Sequence, residues 1–453
     1  MAAMQNDPNK ILIETIKRLL RRGATPNLRK IVNRSHAADL SIVFLSVSRP
    51  NQQNLFEMIA DIEQKGALLS ELDESTFLGL VDGIPVDELV KIFEHMPTDD
   101  IADLLGRLPD EMSRSILSKM EKEDSEEVED LLSYGDQTAG GIMVPEFIAL
   151  KDDTTVKEAI ESLQKEHQDV EMPFYLYVVD EYGKLVGVIS LRQLVVTPPS
   201  SRLKDFMSTD VFSVQTHTDQ EEVAEIVARY DILAVPVVDD SNTLVGIVTV
   251  DDVIDIFKKE ATEDMLKMVG VGEGFIETQS VLRSSKRRLP WLLAGCLGGI
   301  ASSYVLNFFG ASLASFTLLA PFIPVVMGMG GNIGAQSSTI VVRGLATGSL
   351  NIVDIWSVIF KELFIGLILG VVYGLVIGIV AQFQYSAISL AISVGLGVLA
   401  SMSIAGFIGS LVPMVFARLN IDPAVATSPF MSTTVDVISV FFYFTIATKL
   451  MGM

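Results

Sequence analysis

The segment Pro324-Val-Val-Met-Gly-Met-Gly-Gly-Asn-Ile-Gly-Ala-Gln336 places glycines and amides inside a long apolar run. That composition is unsuited to a helix facing lipid, and it favours close helix packing or a polar lining. Four further apolar runs lie in the C-terminal part of the chain. An α-helix rises about 1.5 Å per residue, so each run can cross about 30 Å of hydrocarbon. We therefore predict five membrane spans, near residues 291–309, 315–340, 355–380, 386–416 and 424–447.

The charge of the chain is divided in the same way as its hydropathy. Residues 290–453 contain four basic and four acidic residues, so the formal net charge of −23 resides in residues 1–289. A half this acidic repels nucleic acid and concentrates cations. Four basic residues, which mark the cytoplasmic side under the positive-inside rule, precede the first span: Arg283, Lys286, Arg287 and Arg288. We expect a cytoplasmic N-terminus and, after five spans, a C-terminus outside.

Residues 1–140 have the pattern of short stacked helices. Pro85, Pro97 and Pro109 recur at intervals of 12 residues, and acidic residues follow each of them. Proline suits the first position of a helix, and acids suit its first turn. The pattern predicts an all-α superhelical domain.

Residues 141–252 contain a second repeat, built from Val- and Ile-rich runs with turn residues between them. Such runs indicate buried strands, and the amphipathic stretches beside them indicate helices. The two copies cover 141–203 and 204–252. Their matching strands are Phe174–Asp180 and Leu185–Ser190 in the first copy, and Ala234–Asp239 and Leu244–Thr249 in the second.

The chain is therefore predicted to be multidomain. The N-terminal superhelix, residues 1–140, precedes an α/β pair of repeats, residues 141–252. A connecting helix, residues 253–289, then leads into an α-helical membrane domain of five spans, residues 290–453.

Asp436 is the sharpest chemical feature of the membrane half. It lies in the middle of the fifth predicted span, and no basic residue occurs at matching depth in another span. A carboxylate at that depth costs several kcal/mol unless it faces a partner or water. A structural hydrogen bond or a proton relay would explain it, but a mobile cation fits better because no fixed positive partner is present.

Other polar groups extend this feature along the membrane half. Asp422 lies fourteen residues, close to four helical turns, before Asp436, so we expect Asp422, Pro429, Thr433 and Asp436 to share one helix face. By itself, Asp422 is more simply interpreted as a helix N-cap. Proline at position 429 cannot bond the carbonyl oxygen of Val425, which leaves that oxygen for water or an ion. Asn332 and Gln336 add amides from the second span.

The residue types favour Mg²⁺ as the ion. Mg²⁺ keeps much of its water and binds through few carboxylates. The membrane half has no histidine, and Cys296 is its only thiol, which argues against zinc or copper. Calcium, manganese and cobalt stay open on this argument.

These features together resemble the MgtE family of magnesium channels, and the pair of repeats resembles two CBS modules. The resemblance covers nearly the whole chain. It is carried by Thr138-Ala-Gly-Gly-Ile-Met143, Glu260-Ala-Thr-Glu-Asp264, Arg288-Leu-Pro-Trp-Leu292, the segment Pro324–Gln336, and Asp422-Pro-Ala through Pro429-Phe to Asp436.

The resemblance implies a homodimer in a bacterial inner membrane, with a pore on the two-fold axis lined by the second and fifth spans. It also implies that a connecting "plug" helix closes this pore when cytosolic Mg²⁺ bridges acidic surfaces. The acids placed to bind that regulatory Mg²⁺ are Asp99, Asp103, Asp251, Asp252, Asp255, Glu260, Glu263 and Asp264.

CBS pairs often bind adenosine nucleotides through a Ser or Thr and an Asp three residues later. Thr249 and Asp252 of the second module match this pattern, whereas the first has Ser190 followed by Gln193. The resemblance therefore implies one ATP site, which would share Asp252 with a regulatory ion.

The sequence also bears on two other function classes. A proton- or sodium-coupled carrier of divalent cations such as Co²⁺ or Mn²⁺ would also use a buried aspartate. A membrane-anchored nucleotide sensor without transport does not explain Asn332, Gln336 and Asp436. No Walker loop, nucleophile–base set or zinc spacing is present in the sequence, so we expect no enzymatic activity.

Overall fold

A computed structural model describes residues 8–165, 174–270, 281–310, 317–350, 354–426 and 429–451. The chain forms two compact units, Met1–Lys259 and Glu260–Met453.

The first unit begins with ten short α-helices. They are α1 Pro8–Arg22, α2 Thr25–Val32, α3 Ala37–Leu45, α4 Arg49–Met58, α5 Ile62–Ser70, α6 Glu74–Val81, α7 Val86–Phe93, α8 Thr98–Gly106, α9 Asp110–Leu117 and α10 Lys122–Leu132. Along most of this series each helix packs on the next but one, α1 on α3, α3 on α5 and α5 on α7. Fully buried Leu40, Phe77 and Phe93 lie in the shared core. The helices therefore stack as a superhelix, as predicted.

The recurring prolines stand one position earlier than expected. Pro85, Pro97 and Pro109 are the N-caps of α7, α8 and α9 and not the first helical residues. Pro85 is extended, and its carbonyl oxygen accepts hydrogen bonds from the backbone N–H groups of Glu88 and Leu89. Neither the N-cap nor the first helical residue uses its N–H in an intrahelical hydrogen bond, so proline, which lacks that N–H, is tolerated at either position. Its fixed φ suits both of these positions.

The second part of this unit contains two three-stranded sheets, one in each repeat. Its elements are β1 Ala149–Lys151, α11 Val156–Lys165, β2 Tyr175–Val179, β3 Leu185–Ser190, α12 Leu191–Val196, β4 Val214–Gln215, α13 Gln220–Tyr230, β5 Ala234–Val238 and β6 Leu244–Thr249. The helix α14 Val250–Met268 begins in this unit, and its residues from Glu260 onward belong to the second unit. In each sheet the first strand pairs parallel to the second, and the second pairs antiparallel to the third. The four predicted strands are confirmed. The short strands β1 and β4 lack a long apolar run and were missed.

The second unit holds the membrane half. Its α-helices are α15 Val281–Phe308, α16 Ile323–Ala346, α17 Ile355–Tyr385, α18 Ile388–Arg418 and α19 Pro429–Met451, with 3-10 helices at Thr317–Phe322 and Pro423–Ala426. Among the residues that the structure describes, five helices are long and apolar enough to cross a membrane: Ser284–Phe308, Thr317–Ala346, Ile355–Tyr385, Ile388–Arg418 and Phe430–Met451.

Two details of the membrane half differ from the predicted spans. The helix of the first span begins at Val281, so Lys286 and Arg288 lie on that helix and not before it. In the fifth span the 3-10 helix Pro423–Ala426 follows Asp422, and residues 427–428 lie outside the described residues. Helical periodicity therefore relates Thr433 to Asp436 within α19, but it does not extend to Asp422.

Candidate ion pathway and regulatory sites

Asp436 lies near the middle of the last span, on α19. Its side chain is half-buried in a single chain. A Cβ atom added to Gly331 of α16 would lie 3.9 Å from Asp436 Oδ1, so the carboxylate is next to that helix. Within the described residues no hydrogen bond or ion pair reaches this carboxylate.

The neighbouring helix α16 has a polar face along much of its length. The exposed residues recur at about helical spacing, whereas Val326, Ile333 and Val341 on the other side are buried. A spanning helix with such a face points it at water or at another polar surface, because hydrocarbon does not solvate amides. The exposed residues of this face are Gly328, Asn332, Gln336, Thr339 and Arg343.

Hydroxyl groups fix the position of α16 relative to α18 and α19. The buried Ser401 hydroxyl donates to the Val326 carbonyl oxygen at 3.0 Å and lies 2.7 Å from Ser439 Oγ. A Cβ atom added to Gly330 would approach both serines, so glycine permits this contact. Through Ser401, these hydrogen bonds hold the helix that carries Asp436 next to the helix that carries Asn332.

The remaining predicted pore residues have other local roles. Thr433 donates to the Phe430 carbonyl oxygen at 3.1 Å and packs against Gly298 of α15. Val425 lies in the 3-10 helix before α19.

Asp422 has a fixed cationic partner. Its Oδ1 accepts a hydrogen bond from the Ala424 backbone N–H at 2.8 Å, and its Oδ2 lies 2.7 Å from Lys267 Nζ. Lys267 also pairs with Glu263, one turn earlier on α14. Burial, with the nearby Asp422 charge second, raises the pKa of Asp264 above its usual range. The structure thus gathers Glu263, Asp264 and Asp422 around one lysine.

A second set of neighbouring carboxylates, around Asp252, lies within the first unit. Burial raises the pKa of Asp252 to about 6, and the charges of Asp251 and Asp100 add to that rise. The Thr249 hydroxyl donates to the Asp252 carboxylate. Burial likewise raises the pKa of Asp100, on α8. Asp252 and Asp100 are therefore carboxylates that repel each other when both are ionised.

The other predicted regulatory acids are arranged less closely. Asp103 pairs with Arg107 at 3.3 Å, and Asp255 pairs with Lys258 at 2.7 Å. Asp99 lies in the first turn of α8, and Glu260 is half-buried on α14. Over the described part of the chain, no group of three or more His, Cys, Asp or Glu residues is arranged to hold a metal ion.

Three residues at these sites were missed from the sequence. Asp100 adjoins the predicted Asp99, and it is the charge of Asp100 that helps to raise the pKa of Asp252. Lys267 was assigned no role. Glu362 of α17 is 5% exposed, and its Oε2 accepts a hydrogen bond from the Ser337 hydroxyl at 2.8 Å. Only Glu362 carried a signal in the sequence, because a charged residue within a span is itself unusual.

The nucleotide motifs of the two repeats differ in the structure as they do in the sequence. In the first repeat, Gln193 accepts hydrogen bonds from the backbone N–H and the hydroxyl of Ser190, which completes a capping box. In the second, Thr249 donates to Asp252. A cavity of about 470 Å³ lies at the first motif and is lined by Phe174, Tyr175, Ser190, Leu191, Arg192, Val195, Val196 and Leu233.

Three family models match four segments of the chain. Residues 323–446 match a model described as MgtE, divalent cation transporter. Residues 35–137 match the MgtE intracellular N domain, and residues 139–197 and 203–259 match the CBS domain.

The chain is also similar to curated relatives. It is 32% identical over 449 residues to the magnesium transporter MgtE of Bacillus subtilis, covering 98% of each chain. It is 37% identical over 332 residues to that of Thermus thermophilus, covering 72% of each. Shorter matches include an inosine-5'-monophosphate dehydrogenase of Methanocaldococcus jannaschii, 31% identical over only 26% of this chain.

Two solved structures resemble a little over half of this chain, a share similar to that of the first unit. A crystal structure of the cytosolic domain of the Mg²⁺ channel MgtE in complex with ATP is 34% identical, covers 54% of this chain and 99% of that chain, and has a TM-score of 0.51. A soluble part of a magnesium transporter is 30% identical, covers 56% of this chain and 99% of that one, and has a TM-score of 0.50.

Proposed function

Because this chain belongs to the MgtE family of divalent cation transporters, we propose that it is a homodimeric, Mg²⁺-selective channel for magnesium uptake, closed by cytosolic Mg²⁺. The full-length relatives are named as magnesium transporters. The chain is a multi-pass membrane protein with five candidate spans.

Asp436 carries the proposal. Its carboxylate has no hydrogen-bonding or ionic partner among the described residues, and it adjoins the helix with the polar face. A fixed negative charge in a span needs a counter-charge. A passing hydrated Mg²⁺ supplies it, because Mg²⁺ binds through few carboxylates and retains several waters.

A second copy of the chain completes the pathway in this proposal. The exposed face of α16 carries Asn332 and Gln336, and half-buried Asp436 lies beside it. On a two-fold axis these groups face their own copies, so two carboxylates and four amides surround a water-filled path. Asp422 and the Val425 carbonyl oxygen then lie towards the cytoplasmic mouth.

Closure uses the acidic half of the chain. At low Mg²⁺, carboxylates such as Asp100 and Asp252 repel one another, and the acidic domains separate. Cytosolic Mg²⁺ offsets this repulsion and brings the superhelix, the CBS pair and the connecting helix together, which closes the pore. Asp99, Asp103, Asp251, Asp255, Glu260, Glu263 and Asp264 supply further oxygen ligands.

ATP binds at the second CBS module through Thr249 and Asp252. The crystallised relative in complex with ATP and the Thr249–Asp252 hydrogen bond support this site. Since Asp252 also lies near Asp100, ATP and the regulatory ion compete for one carboxylate.

The proposed arrangement places the N-terminus in the cytoplasm of a bacterial cell and the C-terminus outside. It keeps four functional regions, the superhelix 1–140, the CBS pair 141–252, the connector 253–289 and the membrane domain 290–453. Lys286 and Arg288 at the start of α15 support this orientation under the positive-inside rule.

A proton- or sodium-coupled carrier of divalent cations is the second candidate. Glu362 favours it, because this second carboxylate is buried inside a span and has only a hydroxyl as its described partner. In a carrier of that kind Glu362 would take up the coupling ion.

Mg²⁺ flux into proteoliposomes separates these candidates. We expect Mg²⁺ to enter without any proton or sodium gradient, and Mg²⁺ on the cytoplasmic face to stop it. Flux that appears only with such a gradient would establish the carrier. Flux that ignores cytoplasmic Mg²⁺ would remove the gating part of the proposal.

A further inference from the structure

Lys267 is the cation at the centre of the acidic group formed by α14 and the segment before α19. Its Nζ lies 2.7 Å from Asp422 Oδ2 and pairs with Glu263 on its own helix. The three side chains are partly withdrawn from water, with exposed fractions of 23% for Lys267, 17% for Glu263 and 35% for Asp422. These contacts are better shielded than the ion pair of Lys258 with Asp255, whose side chains are 71% and 69% exposed.

The Lys267–Asp422 contact joins positions 155 residues apart. Asp422 also accepts a hydrogen bond from the Ala424 backbone N–H, which holds its carboxylate at the start of the 3-10 helix before α19. The ammonium of Lys267 therefore connects the last turns of α14 to the segment leading into the helix of Asp436. A lysine is a point charge on a flexible stem, so it can hold this contact or leave it without unfolding the helix.

The charges around Lys267 do not balance. Glu263, Asp264 and Asp422 offer up to three negative charges, and the described residues place one ammonium among them. The described residues form no metal site here, so a divalent cation that reached these oxygens would have to displace the ammonium or share them with it. Lysine and metal are thus competitors for one set of carboxylates.

We propose that Lys267 is a positioning residue for gating, a tethered cation that holds the connecting helix at the cytoplasmic end of α19 when Mg²⁺ is absent. This inference rests on the proposed function. Lys267 gives the closed state a stabilising contact that does not depend on Mg²⁺, so it lowers the Mg²⁺ concentration at which half of the channels are closed.

Lys267→Met in the full-length protein tests this role. Methionine keeps much of the side-chain length but removes the charge. In membrane patches with Mg²⁺-free solution on the cytoplasmic face, we expect open probability to rise about fivefold, because a part-shielded ion pair is lost. We expect the Mg²⁺ concentration for half-closure to rise, because Mg²⁺ must then supply the closing free energy that the ion pair supplies in the wild type.

Two matched variants control for charge and for structure. Lys267→Arg should behave as the wild type, since it retains a cation. Lys259→Met removes the same charge from an exposed position of the same helix and should leave both gating values unchanged.

Proteolysis gives a readout that does not depend on transport. Without Mg²⁺, cleavage within α14, located by mass spectrometry, should be faster in Lys267→Met than in the wild type. With saturating Mg²⁺ the two rates should agree.

Each outcome decides a different statement. If the wild type closes with Mg²⁺ and Lys267→Met matches it in both gating values and in cleavage, the tether is wrong and the proposed function stands. If the wild type conducts no Mg²⁺, the proposed function fails. Equal cleavage would then also refute the tether, whereas faster cleavage of the variant would show that Lys267 holds α14 in place.

Discussion

Two carboxylates inside the membrane half lie in different surroundings, and the difference separates their roles. Asp436 is half-buried beside α16 without a described hydrogen-bonding partner. Glu362 is buried and accepts a hydrogen bond from the Ser337 hydroxyl. A group that must bind and release a hydrated ion needs access to water, whereas a group that joins two helices needs a fixed partner. We therefore propose that Asp436 binds the ion and that Glu362 positions the helices.

Asp436→Asn should reduce Mg²⁺ flux in proteoliposomes by about a hundredfold or more, because the amide cannot neutralise a dication within the span. Asp354→Asn removes the same charge from an exposed position before α17 and should conduct like the wild type. Mg²⁺ flux at the wild-type rate in Asp436→Asn would remove this carboxylate from the mechanism.

Glu362→Ala should lower the stability of the detergent-solubilised protein by about 1–3 kcal/mol, since it leaves the buried Ser337 hydroxyl without its acceptor. Glu362→Gln retains an oxygen that can accept that hydrogen bond, so its melting temperature should stay near the wild-type value. A Glu362→Gln variant that is stable but has lost Mg²⁺ flux would contradict a purely positional role and would support the coupled carrier.

At the scale of elements, α17 and α18 form the most extensive helix pair of the membrane half. Four glycines of α17 are buried at its contact with α18: Gly366, Gly370, Gly374 and Gly378. Their four-residue spacing lets the two backbones approach closely, as small residues do in membranes. This seam holds the scaffold on which α16 and α19 are placed.

Gly374→Ala should destabilise the protein by about 1–3 kcal/mol, because overpacking forces the backbones apart. The added Cβ would lie 2.5 Å from the Gly395 carbonyl oxygen, whereas a Cβ on Gly299 of α15 would meet nothing within 4 Å. Thermal unfolding in detergent should therefore show a lower melting temperature for Gly374→Ala and no loss for Gly299→Ala. Equal melting temperatures for both variants would show that the seam can relax.

At the scale of the whole molecule, the chain is an acidic half joined to an electrically neutral membrane half. All of the −23 formal charge resides in residues 1–289. We propose that the gate is an electrostatic balance, in which Mg²⁺ offsets the repulsion between the acids of α8 and α14.

Removing the superhelix tests that balance. Deletion of residues 1–132 removes Asp99, Asp100 and Asp103, so conduction should persist while the Mg²⁺ concentration for half-closure rises severalfold. Asp100→Asn in the intact chain should shift closure in the same direction by a smaller factor. Patch recordings with a titrated cytoplasmic face measure both, and unchanged closure in the deletion would place the regulatory site elsewhere.

The sequence by itself determined what depends on local composition and period. Apolar runs of sufficient length predicted five spans, repeated Val- and Ile-rich runs predicted the central strands of both CBS modules, and the depth of Asp436 followed from its position within a span. Each of these follows from the hydrophobic effect acting on neighbours along the chain, so no knowledge of distant residues is required.

Only the tertiary structure decided which charged groups meet. Asp422 pairs with Lys267, which is 155 residues away in the sequence. Glu362 accepts a hydrogen bond from the Ser337 hydroxyl of another span. The charge that helps to raise the pKa of Asp252 is that of Asp100, not of Asp99. The spacing of charges along a chain does not encode such contacts, because they depend on how helices pack. A carboxylate that could bind a metal is, in one dimension, indistinguishable from one already held by a lysine.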